Sequence, residues 1–407
     1  MDAYNGIMKR LFSWLYRHRY PYISLIAINI SRKQLLHNLH EFMRIAPNGR
    51  VAPVLKSNAY GHGLIEVARI LERERIKQVK TRRGGIPFFI IDSYFEAVTL
   101  RSNGIQTPLL IIGYTRPETI AQSRLKNVMF TITTIDTLKQ ITSYQSPIFD
   151  FRSRKISINL KIDTGMHRQG MLPGDIDQID HFIDINPSIV IKGICSHFSD
   201  ADNQDSSFTE SQIHKWNKIV HHLTSEYSSI EYIHISNTDG HRFIKESHAN
   251  LSRLGIGLYG LTDGGKFAPR LHLKPVMNMQ TIITGIKKIT RDDTVGYGNT
   301  FKAEKEMTIA NIPVGYYEGI DRRLSNSGTI LVGNERIPCP IVGRVSMNIT
   351  TIDVSNVLKV SIGTPVTVIS DNAQDKNSII EMAQKCNTIP YEIAVKIPSH
   401  LKKVVVA

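Results

Sequence analysis

The sequence predicts an α/β protein: a (β/α)8 TIM-like barrel followed by a C-terminal, mostly antiparallel β domain. Three observations carry this. Eight short β-branched runs alternate with helical-period segments between residue 50 and about residue 260. Polar residues fall at the C-terminal ends of five of those runs, the rim where barrels assemble their sites. After residue 262 the helical period fades and strand-like runs crowd together.

In chain order, "SLIAINIS" (24–31) reads as a strand ahead of the barrel, expected to pair with the later domain. The eight barrel strands are "RVAPVLK", "IPFFIID", "PLLIIG", "VMFTIT", "SINLKID", "VIKGICSH", "YIHIS" and "LSRLGIGLY". Segments such as "LIEVARILERERI" and "FTESQIHKWNKIVHHLTSEY" supply the crossover helices that parallel strands require. An open doubly wound sheet is the alternative, weakened because no glycine fingerprint follows the first strand. The later strands are "PVMNMQTIITGIKKI", "EMTIANIPVGYY", "GTILVG", "ERIPCPIVGRVSM", "TTIDVS" and "PVTVIS", with Gly333 and Asn334 expected to form a tight hairpin turn. The division is therefore 1–22, an N-terminal extension; 23–262, the barrel with its preceding strand; and 263–407, the β domain.

Composition excludes several classes. Of the 407 residues 41% are hydrophobic, enough for a large core and too many for a disordered chain. The net charge of +14 is spread along the sequence, small anionic ligands account for it as well as nucleic acid does, and no nucleic-acid recognition motif accompanies it. Three scattered cysteines offer no zinc or disulfide pattern, which suits a reducing cytoplasm and no metal. No apolar run approaches the roughly 20 residues of a membrane span. "IMKRLFSWLYRHRY" near the N-terminus reads as a surface-packed helix rather than an anchor, and no stable membrane association is expected.

The rim residues carry the chemistry. Lys56 ends the first barrel strand. Strand alternation puts Asn159, Lys161 and Asp163 on one face of the fifth. His197 closes the sixth, Asn237 and Thr238 follow the seventh, and Arg253 lies in the eighth with Gly255 and Ile256 after it. Alone, each has an ordinary structural explanation: a solvated lysine, a satisfied core histidine, a Lys–Asp pair. Their convergence on one rim points to a lined pocket. A lysine there can form an imine with a carbonyl, the attachment chemistry of pyridoxal phosphate, and barrels commonly hold phosphate after strands seven and eight.

"VLKSNAYGHG" closely resembles the alanine racemase family, pyridoxal-phosphate enzymes of fold type III. The similarity continues through "LKIDTGMHRQGM", "SHFSDADN", "SRLGIGLYGL", "VGYGNTF", "PVGYYEG", "IVGRVSMN" and "PYEI", in order, over nearly the whole chain after residue 22. The resemblance implies that Lys56 is the imine-forming lysine. It implies that Tyr60, Thr238, Tyr391 and the backbone N–H groups of Gly255 and Ile256 hold the cofactor phosphate, with Arg253 at the pyridine nitrogen. It further implies a head-to-tail homodimer in which Tyr297 of one subunit opposes Lys56 of the other, assisted by a chain through His197 to Arg253. L-Alanine and D-alanine are the implied substrates, with Arg168 and the backbone N–H of Met347 on the carboxylate. Lys161 aligns with a lysine carbamylated in many relatives, and Asp202, Tyr316 and Arg344 match the access corridor. The implied role is D-alanine supply for peptidoglycan.

The sequence departs from the family at His167, Asn348, Tyr317 and Glu318, which puts substrate range and access in question while leaving the reaction type. A racemase acting on serine or other amino acids, or a fold type III decarboxylase, are the alternatives. Arg253 and Tyr297 speak against the decarboxylase. A pyridoxal-phosphate carrier without turnover would lack the residues after 262.

Overall fold

The computed structural model describes residues 23–81, 84–144, 155–262 and 271–407. The amphipathic segment expected near the N-terminus lies outside them.

All eight predicted barrel runs contain a strand. They are β2 (Val51–Pro53), β3 (Phe89–Ile91), β4 (Leu109–Ile111), β5 (Val128–Ile132), β6 (Ile156–Lys161), β7 (Ile189–Cys195), β8 (Tyr232–His234) and β9 (Ser252–Leu254). Strands β3 to β8 pair in parallel, each with its neighbour in sequence, and β2 pairs in parallel with β9, Ala52 opposite Arg253. A parallel bridge from Val54 to Ile90 joins β2 to β3. Between β8 and β9, Asn250 completes the ring: its backbone N–H donates to Ile233 O at 2.9 Å, and its Oδ1 accepts from Ile233 N–H at 3.0 Å. The strands are fully apolar where both faces are buried, as Phe89–Ile91 and Leu109–Ile111 are.

The last predicted barrel strand ends sooner than its apolar run. Only Ser252–Leu254 is extended, and Ile256–Tyr259 coils into a 3-10 turn closed by Leu258 N–H to Gly255 O at 3.0 Å. Two glycines in that run, at 255 and 257, and Gly260 just after it permit the change of direction, and Gly260 sits at φ 74°.

The strand β1 (Ala27–Ser31) does pair with the second half of the chain. It lies antiparallel to β10 (Met277–Ile282) and parallel to β19 (Lys403–Val406), inside a six-stranded sheet with β15 (Thr329–Val332), β16 (Ile337–Pro340) and β18 (Pro365–Ile369). A second, antiparallel sheet joins β11 (Gly285–Ile289), β14 (Met307–Ile312) and β17 (Thr350–Asp353). The β15–β16 hairpin is present, but its turn is wider than expected. Residues 333–336 form it, with Gly333 and Arg336 both at positive φ and Arg336 N–H donating to Gly333 O at 3.2 Å.

The helices Ile379–Lys385 and Pro390–Val395 interrupt the β half and were not anticipated. They matter because the second carries Tyr391 to the barrel rim. One continuous apolar core runs through both halves, and a small separate cluster of Val295, Ala303, Met307, Ile309 and Val342 supports the hairpin β12 (Thr294–Val295) and β13 (Phe301–Lys302), which presents Tyr297.

Candidate active site

Beyond β2 the chain enters an unusual conformation. Ser57, Asn58, Ala59 and Tyr60 all take φ between 53° and 56°, one turn of left-handed helix that opens at Lys56. Left-handed backbone costs L-residues about 1–2 kcal/mol each, so the surroundings must enforce it. Asn58 Oδ1 accepts from Leu64 N–H at 2.9 Å and starts the helix Leu64–Thr81. His62 Nδ1 lies 2.9 Å from Tyr60 O, and its ring packs on Tyr259 with centroids 4.4 Å apart. A Cβ on Gly61 would stand 2.1 Å from Ala394 O, so the turn is pressed against the helix that carries Tyr391. This brings Tyr60 and Tyr391 together, ring centroids 5.9 Å apart.

The turn opens onto a cavity of about 280 Å³ at the C-terminal ends of the barrel strands. Lys56, Lys161, Arg168 and Arg253 line it, and among the described residues no aspartate or glutamate does. Four bases without an acid make a site for an anion. Tyr60, His197, Asn237, Thr238, Gly255 and Tyr391 complete the predicted members, while Thr131, Gln169 and Cys195 are additional lining residues. At one end, a Cβ on Gly255 would lie 2.9 Å from the Tyr60 hydroxyl and 3.9 Å from Thr238 Oγ1, so the missing side chain leaves a recess between these groups. Ile256 is buried behind it and opens the 3-10 turn.

Arg253 is buried and organised by neutral acceptors. Its Nη2 donates to Ser196 O at 2.9 Å and Ile235 O at 2.7 Å, and stands 2.9 Å from His197 Nδ1. Its Nη1 stands 2.9 Å from His234 Nδ1. None of these contacts uses Nε. A guanidinium only donates, so both imidazoles must accept on Nδ1 and carry their proton on Nε2. Burial, reinforced by the positive charge of Arg253, holds both histidines well below the usual imidazole range and therefore neutral. His234 passes its Nε2 proton toward Asn159 Oδ1 at 3.1 Å, and Asn159 Nδ2 donates to Cys195 Sγ at 3.0 Å.

Lys161 is pushed down to about 8, chiefly by burial. Burial likewise raises the Tyr60 phenol, opposed by Arg253. Asp163 turns away from the cavity: its Oδ1 accepts from Gly165 N–H at 2.8 Å and His167 N–H at 3.2 Å, fixing the loop that carries Arg168. His167 occupies φ 54°, a conformation that favours glycine, and its ring is exposed, 3.9 Å from Asp163.

The remaining predicted residues are not part of this cavity. Tyr297 is 71% exposed, and Met347, Tyr316, Arg344 and Asp202 also face solvent. Tyr297, Arg344, Met347 and Tyr316 nevertheless share one face of the β half. The hairpin at Gly296–Gly298 lies against Arg344, and Tyr316 N–H donates to Ser346 O at 3.0 Å.

The sequence motifs missed His234, because a histidine inside an apolar strand gives no sign of its partner. Its two-residue offset from Ser236 and three-residue offset from Asn237 were visible, but only the fold brings it beside Arg253.

Two family models cover the chain: alanine racemase, N-terminal domain, over residues 30–263, and alanine racemase, C-terminal domain, over 276–405. The chain belongs to the alanine racemase family. An alanine racemase of Carboxydothermus hydrogenoformans is 31% identical over 378 residues, covering 93% of this chain and 98% of that protein. One from Clostridium tetani is 32% identical over 394 residues, 96% of each chain. The crystal structure of alanine racemase from E. faecalis superposes with a TM-score of 0.79 at 26% identity, over 94% of this chain and 98% of that one. The barrel with its C-terminal, mostly antiparallel β domain is the fold of this family. Its members use pyridoxal phosphate.

Proposed function

We propose that the chain is an alanine racemase that interconverts L-alanine and D-alanine by removing the α-proton on one face and returning it on the other. The observation that carries this reading is the cavity: the Lys56 amine at the rim of a basic, acid-free recess, beside an arginine held between two neutral histidines.

The residues suit pyridoxal phosphate. The recess left by Gly255, bordered by Tyr60 and Thr238, takes a phosphate, and Tyr391 adds a second phenol. The cofactor, when bound, supplies an aldehyde that an amine attacks and a ring that draws electrons from the α-carbon. Lys56 would hold the aldehyde, and its amine is placed to give or take a proton on one face of the substrate's α-carbon. Arg253, whose Nε takes no hydrogen bond to an acceptor among the described residues, would hold the ring nitrogen. Because a guanidinium keeps its proton, Arg253 restrains the ring's electron demand and favours proton return over decarboxylation.

Tyr297 supplies the opposite face from a second copy of the chain. Its exposure, together with that of Tyr316, Met347 and Arg344 on the same face, supports a head-to-tail homodimer that buries this surface against the partner's barrel rim. A phenol is a weak base, and the Nε2 proton of neutral His197, backed by Arg253, would assist it by hydrogen bonding to its oxygen. Arg168 and the Met347 backbone N–H hold the substrate carboxylate. Asp202, Tyr316 and Arg344 border the access route.

Lys161, with its amine lowered to about 8, is poised to add carbon dioxide, releasing a proton and becoming a carbamate that orients Arg168. Gentle mass spectrometry under bicarbonate should show the added carboxyl; an unmodified Lys161 would remove this part.

We assign residues 23–262 to most of the cofactor site, which Tyr391 of the same chain completes, and the Tyr297 face of residues 263–407 to closing the partner's site. Among the described residues no helix is long and apolar enough to cross a membrane, which is compatible with action in the cytoplasm and with D-alanine supply for peptidoglycan. Tyr297 opposite an arginine-tuned site favours racemisation over decarboxylation. Incubation with L-alanine and pyridoxal phosphate should produce D-alanine, whereas release of carbon dioxide or turnover of serine alone would replace this reading.

A further inference from the structure

Glu318 is a buried carboxylate, 6% exposed, that forms no ion pair among the described residues. Its two oxygens are divided between neutral donors. Oε2 accepts from Gly315 N–H at 2.8 Å, and Oε1 accepts from Asn348 Nδ2 at 2.6 Å. A carboxylate only accepts, so the amide must present its nitrogen.

These bonds join two loops that already touch along their backbones. Tyr316 N–H donates to Ser346 O at 3.0 Å and Tyr317 N–H to Met347 O at 2.9 Å. The approach is so close that a Cβ on Gly315 would stand 2.2 Å from Ser346 O. Ser346 N–H closes the second loop on Ile349 O at 3.0 Å, and Thr350 Oγ1 donates to Val314 O at 2.7 Å beneath it. The Tyr317 ring leaves this junction and stacks on His400, centroids 5.0 Å apart, so its bulk is directed to the C-terminal segment.

We propose that Glu318 and Asn348 are a positioning pair, one charged acceptor matched to one neutral donor, that fixes the Met347 backbone for the substrate carboxylate and Tyr316 for access. This rests on the racemase reading above, which assigns those two tasks. The pair requires opposite hydrogen-bonding character rather than particular residues. Two carboxylates would face each other across 2.6 Å, whereas a glutamine at 318 can keep its oxygen on the Gly315 N–H and donate to Asn348 Oδ1 once that exposed amide turns over.

The test compares wild type, Asn348→Asp, Glu318→Gln and the double variant that exchanges the roles. Asn348→Asp should raise the KM for L-alanine about fivefold with kcat changed less than about twofold, the pattern of lost binding common to ground and transition states, while Glu318→Gln, which keeps a donor facing an acceptor, should stay within about twofold of wild type. The double variant should bring KM back to within about twofold of wild type, a coupling that independent sites do not show. Melting temperatures should follow the same order, lowered in Asn348→Asp and recovered in the double. A double variant as impaired as the worse single one, in KM or in melting temperature, overturns the pair. Asn348→Asp with unchanged KM in an active enzyme overturns the positioning role alone. Should wild type fail to racemise alanine, the racemase reading falls, and recovery or non-recovery of melting temperature decides the pair by itself.

Discussion

Arg253 Nη2 lies 2.9 Å from His197 Nδ1, a contact that fixes the tautomer of the histidine and leaves its proton on Nε2. The same guanidinium reaches His234 Nδ1 through Nη1. A lysine offers one point charge and cannot span both rings. Arg253→Lys should therefore lower kcat about 100-fold or more in both directions, in the range of a lost preorganised donor, while cofactor absorbance persists. Steady-state rates with a spectrum of the bound cofactor check this; wild-type kcat would mean that the paired imidazoles are structural.

A barrel rim with Lys56 and a separate exposed face with Tyr297 predict complementation. Lys56→Ala and Tyr297→Ala proteins should each be inactive. Mixed and allowed to exchange subunits, they should recover about a quarter of wild-type activity, because half the dimers are mixed and each mixed dimer holds one complete site. Assays of the mixture against unmixed controls check it, and no recovery despite demonstrated exchange would place both groups in one chain.

The recess at Gly255 has no room to spare. Gly255→Ala puts a methyl 2.9 Å from the Tyr60 hydroxyl, backed by the fixed turn behind it. Strain of about 1–3 kcal/mol is typical of such crowding, equivalent to a loss of about fivefold to about 150-fold in cofactor affinity. Titration of the apoprotein with pyridoxal phosphate measures this directly, and an unchanged affinity would move the phosphate elsewhere.

Much of this was legible in the sequence. Lys56, His197 and Arg253 stand at the ends of apolar runs, and strand alternation put Lys161 on the polar side of β6. What could not be read was conformational and long-range. Nothing local announces that Ser57–Tyr60 adopts a left-handed turn, because the preference is set by Gly61 against Ala394 and by His62 against Tyr259. Asp163 shares a strand face with Lys161, yet two backbone N–H groups of its own loop capture it. The apolar continuity of "LSRLGIGLY" suggested a long strand, whereas its glycines allow the turn that shapes the recess. Glu318 and Asn348, separate departures in sequence, meet only in the fold.

Acid should destabilise the protein through histidines that are buried neutral. Burial lowers His62 and His241 to about 4 from the ordinary imidazole value. Their folded-state pKa values are depressed, so the unfolded chain takes up protons first as pH falls below about 6.5, and stability present above that pH is lost down to about pH 4. At pH 5 the two together should remove about 4 kcal/mol relative to pH 8. Denaturant unfolding across this range checks the slope, and a flat profile from pH 8 to pH 5 would contradict the buried neutral state.

The central claim is that an α-proton leaves and returns through Lys56 on one side and Tyr297 of a second copy on the other. Its most direct measurement is incorporation of solvent deuterium at the α-carbon, followed by NMR from each enantiomer of alanine. Deuterium should enter both, with Tyr297→Phe suppressing exchange from L-alanine far more than from D-alanine and Lys56→Ala abolishing both. Equal suppression in the two directions, or full exchange without Lys56, would contradict the account.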